Sequence, residues 1–199
     1  PMFNELSAHT AYLMTFYRHR PELINKLYQM VETYANGICS DMGTISEGVR
    51  IINSRTMLNV NFGPGALIEG IYRLVNGSVN SSPEHPTYFG PGVIAEDFIA
   101  ASGAEVSDAT LISKCFIGQG CHLGKHYSAE NSLFFANCQG FHGEACSIFA
   151  GTYTVSHHKS TLLIAGYYSF LNAGSGSNQS NHMYKLGPVH QGIIERGSK

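Results

Sequence analysis

Ten histidines stand in this 199-residue chain, and seven of them fall between His122 and His190. Imidazole titrates near neutral pH, so a histidine can take the proton from a hydroxyl or amine that attacks an electrophile, and a carboxylate beside it can fix its tautomer. His142 and Glu144 form the best local pair. His142 directly follows Phe141, so an inward Phe141 turns it outward toward a cleft or a partner subunit, as a base oriented by Glu144. A second constellation depends on stacking. In a coil of 18 residues His126 lies under Glu144 and Asp108 under His126, a carboxylate–imidazole–carboxylate column able to polarise a base or hold a divalent metal. Polar corner ladders are also common as plain structure.

Two further groups carry chemistry. His157 and His158 are adjacent, so on extended backbone they point opposite ways; they do not share a metal, but one can line the cleft of His142. The run Asn172 to Asn181 is rich in Gly, Ser and Asn and precedes His182, Lys185 and His190. Backbone amides in such a loop can cradle phosphate, with Asn178, Gln179, His182 and Lys185 as binding residues. It lacks the GxxxxGK[ST] spacing of a phosphate-binding loop, and a plain surface loop has the same composition.

What must position these groups is a repeat. From Val93 the residues Ile99, Glu105, Leu111, Ile117, Leu123, Ala129, Phe135, Phe141, Ser147 and Tyr153 recur every sixth place, and nine of the eleven are apolar. Neither a helix nor a strand gives that interval; hexapeptide coils of a parallel β-helix do. Glu105 and Ser147 fit the inward position poorly, and the register between Phe89 and Leu111 is ambiguous. Phe62-Gly63-Pro64-Gly65 recurs as Phe89-Gly90-Pro91-Gly92, an offset read as one coil of 18 plus a nine-residue loop, 80–88, pushed out of a corner. Before the coils, Ser7 can cap a helix bearing Tyr12, Leu13, Phe16 and Tyr17. Pro21 opens a second helix with Ile24, Leu27, Tyr28, Val31 and Tyr34 on one face, stopped by Asn36-Gly37. The expected organisation is a helical hairpin over 1–40, a β-helix over 41–171, and a polar loop with C-terminal segment over 172–199.

The bulk numbers exclude some classes. A net charge of −2 with 12 Lys plus Arg argues against a nucleic-acid binder, which needs a basic face to neutralise phosphate. No apolar run approaches the roughly 18 residues that would cross a bilayer, and no export signal opens the chain, so a soluble cytoplasmic protein is expected. Five cysteines, an odd number without a CxxC pair, are expected as free thiols, with Cys115 and Cys121 packed inside the coils. The ends at Pro1 and Lys199 lack the capping coils that a solenoid needs, which suggests a piece of something longer.

The run Ile117-Gly118-Gln119-Gly120-Cys121-His122-Leu123-Gly124 resembles the left-handed β-helix of sugar and acyl-chain acyltransferases and of the C-terminal domains of some sugar-1-phosphate nucleotidyltransferases. The strings Phe141 to Gly151, Thr154 to Gly166 and Asn178 to Gly192 resemble an uncharacterised bacterial family. Its members are sometimes labelled glucose-1-phosphate thymidylyl- or nucleotidyltransferases. The resemblance covers the whole chain. It implies an all-β solenoid with left-handed parallel coils and an N-terminal helical hairpin, self-association, in the broader fold class usually as a trimer, and a histidine base. The nucleotidyltransferase label would need a Gly-rich phosphate motif on an α/β domain, which this chain lacks. The leading expectation is therefore a transferase acting on a sugar or sugar nucleotide, with acyl-CoA as co-substrate and no resident cofactor or metal. Two alternatives stand beside it: a non-catalytic oligomerisation or ligand-binding module of a larger protein, including a nucleotidyltransferase-associated domain, and a metal scaffold of the carbonic-anhydrase type, which would need three histidines from two subunits.

Overall fold

The computed structural model describes residues 1–40 and 42–156, and the backbone of the strands Leu162–Ala165, Phe170–Leu171 and Gln191–Ile194. The chain is an all-β solenoid with two helices before it. Every strand pairing is parallel, in one sheet of eleven strands and another of eight, and successive coils supply successive strands of each.

The coil is one residue shorter than the expected 18. Ile51 pairs with Ile68, Phe89 with Val106, Val106 with Leu123 and Leu123 with Gly140, each 17 apart. The shortfall lies in the middle of the long strands, such as Leu111–Ile117, where one residue per coil adopts a left-handed conformation and bends the strand. That column runs Asn59, Asn76, Asp97, Lys114, Asn131 and Ser147, with φ between 51° and 58°. Asn and Asp tolerate positive φ better than other side chains, which accounts for four of the six. Inward residues consequently recur at 5, 6 and 6. Ile112, Ile117, Leu123, Ala129 and Phe134 are buried, whereas Leu111 is exposed and Phe135 packs outside the coil. A strict period of six holds for two sides of each coil and slips on the third.

The interior is filled by small side chains with an occasional ring. Cys115, Cys121 and Cys138 are fully buried, and the thiols of Cys121 and Cys138 donate to the carbonyls of Phe135 and Gly151 at 3.0 and 3.1 Å. All five cysteines are free. Tyr127 fits because Gly140 above it has no side chain: a Cβ there would lie 2.8 Å from the ring.

Phe62-Gly63-Pro64-Gly65 and Phe89-Gly90-Pro91-Gly92 do not stack on one another. Phe62 pairs with Val79 in the long sheet and Phe89 with Ile68 in the short one, so the strings turn different corners, at Gly65 (φ 71°) and Gly92 (φ 75°). The coil from Ile68 to Phe89 has 21 residues, so the insertion is four residues rather than nine. Asn80, Ser81, Thr87 and Tyr88 remain in the coil, with Ser81 and Thr87 buried.

The helices are α1, Ala8–Phe16, capped by the Ser7 hydroxyl accepting from the Thr10 amide at 3.2 Å, and α2, Pro21–Ile38, which continues through Asn36-Gly37. Leu6 and Ala11 pack on Phe116, Phe135 and Phe149, so this end of the hairpin covers the half of the long sheet that follows the left-handed column.

Candidate functional site

Outward side chains on neighbouring coils stand in columns about 4.8 Å apart, so chemistry on a solenoid is read along columns. On the short sheet one column runs Leu67, Tyr88, Glu105, His122, Gln139 and Val155. Glu105 and His122 pair: His122 Nδ1 lies 3.2 Å from Glu105 Oε2, both side chains being nearly half exposed. The Tyr88 ring lies along Gly90, where a Cβ would meet the hydroxyl at 2.9 Å, so glycine leaves room for the ring. Desolvation raises the Tyr88 phenol above its ordinary value, and the charges of Glu69 and Glu105 push it further, so it stays a neutral hydroxyl donor at neutral pH.

In the next outward column Glu69 is followed by Gly90, Ser107, Gly124 and Phe141, which leaves a nearly bare strip between the Tyr88–His122 column and the adjoining corner. That corner holds Asp108, Lys125, His126 and His142, all exposed and all with positive φ. The Lys125 ammonium lies 5.5 Å from the centre of the Phe141 ring. An acidic, tyrosine-bearing strip thus adjoins a corner that holds one lysine, two imidazoles and the Asp108 carboxylate.

The expected residues distribute as follows. With 17-residue coils His142 stands over Lys125, and Glu144 pairs with Ser128 rather than with His126, because the coil has dropped a further residue there. The column Asp108–His126–Glu144 is therefore not formed, the 18-residue spacing behind it being wrong. His126 does stay close to Asp108 through the backbone, its amide donating to the Asp108 carbonyl at 2.9 Å. His142 occupies the corner and Glu144 the first position of the following strand. Arg73 and Glu96 form an ion pair at 3.5 Å, and the imidazole of His122 meets the Glu105 carboxylate as described. His157, His158, Asn178, Gln179, His182 and Lys185 lie outside the described residues. Among the described residues no group of three or more His, Cys, Asp or Glu is placed to hold a metal ion, and no helix is long and apolar enough to cross a membrane.

Glu105 and His122 escape a search for local pairs because they are 17 apart and belong to different coils. The signal for them is that Glu105 is a charged misfit under a strict period of six.

A protein of Treponema pallidum (strain Nichols), described as uncharacterized, is 30% identical to this chain over 104 residues, which are 52% of this chain and 14% of that protein. The match therefore spans about one-seventh of its relative's length. Over residues 1–199 the chain matches the family described as Domain of unknown function (DUF4954), and it belongs to that family.

Proposed function

We propose that this β-solenoid acts on a sugar or sugar nucleotide as a transferase, with His122 as the base, Glu105 as its orienting carboxylate and acyl-CoA as donor. The observation that carries the reading is the 3.2 Å contact between His122 Nδ1 and Glu105 Oε2. It leaves Nε2 available to take a proton from an acceptor hydroxyl. That oxygen then attacks the thioester carbonyl, and the CoA thiolate leaves and is protonated. Tyr88 supplies a neutral donor on the same column. Lys125 follows His122 by three residues, roughly 10 Å, and provides positive charge for donor phosphates, with His126 and His142 beside it as hydrogen-bonding groups, while Glu69 and Glu105 keep phosphate off the acceptor strip. In this reading His142 binds rather than abstracts a proton.

The test is a thermal-shift screen against acetyl-CoA, succinyl-CoA, nucleotide sugars and zinc, since a ligand that binds only the folded chain raises its melting temperature. A shift with an acyl-CoA, lost in Lys125→Ala and kept in His122→Gln, supports the assignment. A shift that depends on neither residue sinks it. A second reading, a non-catalytic ligand-binding module of a longer protein, is favoured by the openness of the strip, where His122 and Glu105 are 46% and 44% exposed. Binding of a nucleotide sugar without turnover would select it.

A further inference from the structure

Over the early coils of the long sheet the hairpin does not close down. A cavity of about 360 Å³ lies between the early coils, the N-terminal segment and the end of α2. Its floor is the first half of the left-handed column. Asn59 Nδ2 donates to Asn76 Oδ1 at 3.1 Å, and Asn76 Nδ2 donates to Asp97 Oδ1 at 3.2 Å. These bonds use one N–H of each amide, so the second N–H of each, and the second carboxylate oxygen of Asp97, remain to the cavity. Asn61 and Ser78 continue the floor, and Met2, Phe3 and Ile38 form an apolar wall.

The change from covered to open face is written in the outward row. Ile99, Phe116, Leu133 and Phe149 pack against the hairpin, whereas Asn61 and Ser78 occupy the same row in earlier coils. Polar side chains there cannot receive an apolar helix, so the gap is built by sequence.

None of the lining residues is cationic, and Asp97 is a carboxylate. Lys114 follows Asp97 along the column, yet the two are not an ion pair. The site therefore disfavours phosphate and carboxylate ligands and suits an ammonium. Its volume sits at the low end of the ~300–1,000 Å³ typical of ligand sites, room for one small ring. Amide donors and acceptors repeating along one wall suit several hydroxyls, and the apolar wall suits the C–H face of such a ring.

We infer that this cavity binds a small polyhydroxylated amine of the amino-sugar class, its hydroxyls on Asn59, Asn76 and Ser78 and its ammonium on Asp97. The inference is independent of the reading of the short sheet. The experiment is ligand-observed NMR titration of the full chain with glucosamine, glucose and glucose 1-phosphate. Expected is the order glucosamine, glucose, glucose 1-phosphate from tightest to weakest. Asp97→Asn should weaken glucosamine about fivefold or more while leaving glucose unchanged, and Ser78→Phe, which fills the cavity from an outward position, should abolish both. Circular dichroism confirms that each variant is folded. Glucose 1-phosphate binding as well as glucosamine, glucosamine binding unaltered by Asp97→Asn or Ser78→Phe, or no binding of any of the three, would each overturn the inference.

Discussion

Two outward faces of the same solenoid have opposite characters. The half of the long sheet after the left-handed column presents Ile99, Phe116, Leu133 and Phe149, and these are covered by the hairpin. The short sheet presents Tyr88, Glu105, His122 and Gln139 in the equivalent outward column, and these meet solvent. Both rows hang on an interior built from the same small and branched side chains. The lesson is that the inward rows make the coil and the outward rows assign each face its use, so substitutions on the two faces should separate stability from binding.

The sharpest test is a pair of truncations. Phe116, buried between Phe135 and the hairpin, should cost about 3–5 kcal/mol as Phe116→Ala. His122→Ala should cost under about 1 kcal/mol, since a half-exposed contact with a carboxylate is screened by water and salt. Urea melts of the two variants decide it, and equal losses would erase the distinction between the faces.

Inside the coil the expectation is nearly as large. Gly140→Ala places a methyl 2.8 Å from the Tyr127 ring and 2.9 Å from Leu123, an overpacking cost of about 1–3 kcal/mol. Gly37→Ala in α2 meets nothing within 4 Å and should stabilise by about 0.5–1 kcal/mol. The same substitution with opposite signs reports the packed interior and the open hairpin end.

Alkaline pH should also act through the interior. Burial pushes the Cys115 thiol from 9.0 up to about 12 and the Tyr127 phenol from 10.0 up to about 12. The folded chain thus holds protons that the unfolded chain releases, so these groups contribute stability that is intact below pH 9 and is lost as pH rises toward 12. Urea midpoints at pH 8, 9.5 and 11 should fall in that order, and Cys115→Ala should flatten the decline. A flat profile in the parent chain would contradict the burial of both groups.

The smallest effect concerns the thiols themselves. Cys39 and Cys146 are exposed and should react with a thiol reagent in the native state, while Cys115, Cys121 and Cys138 should react only after denaturation. Five fast thiols would mean that the coil interior opens readily.

Much of the fold is legible along the chain. A period of six, small inward cysteines, the Ser7 cap and Pro21 at a helix start are local signals, each depending on a few neighbouring residues. The register is not local. An Asn in a left-handed bend shortens a coil by one residue, and nothing in a window of six distinguishes that bend from an ordinary polar position. Hence Ile117, Leu123 and Ala129 follow the strict period, whereas Leu111 and Phe135 fall outside the coil. The column Asp108–His126–Glu144 depended on that register and did not form.

Taken alone, the amino-acid order determined that the chain coils and that a hairpin precedes the coils, because hydrophobic period and capping chemistry act between residues close in sequence. Which outward residues become neighbours was decided by the length of each coil, 17 residues between Glu105 and His122 and 21 between Asn76 and Asp97. Stacking joins Glu105 to His122 and Asn59 to Asn76 and Asp97 at about 4.8 Å, and one residue more or less per turn would have assembled different columns from the same side chains.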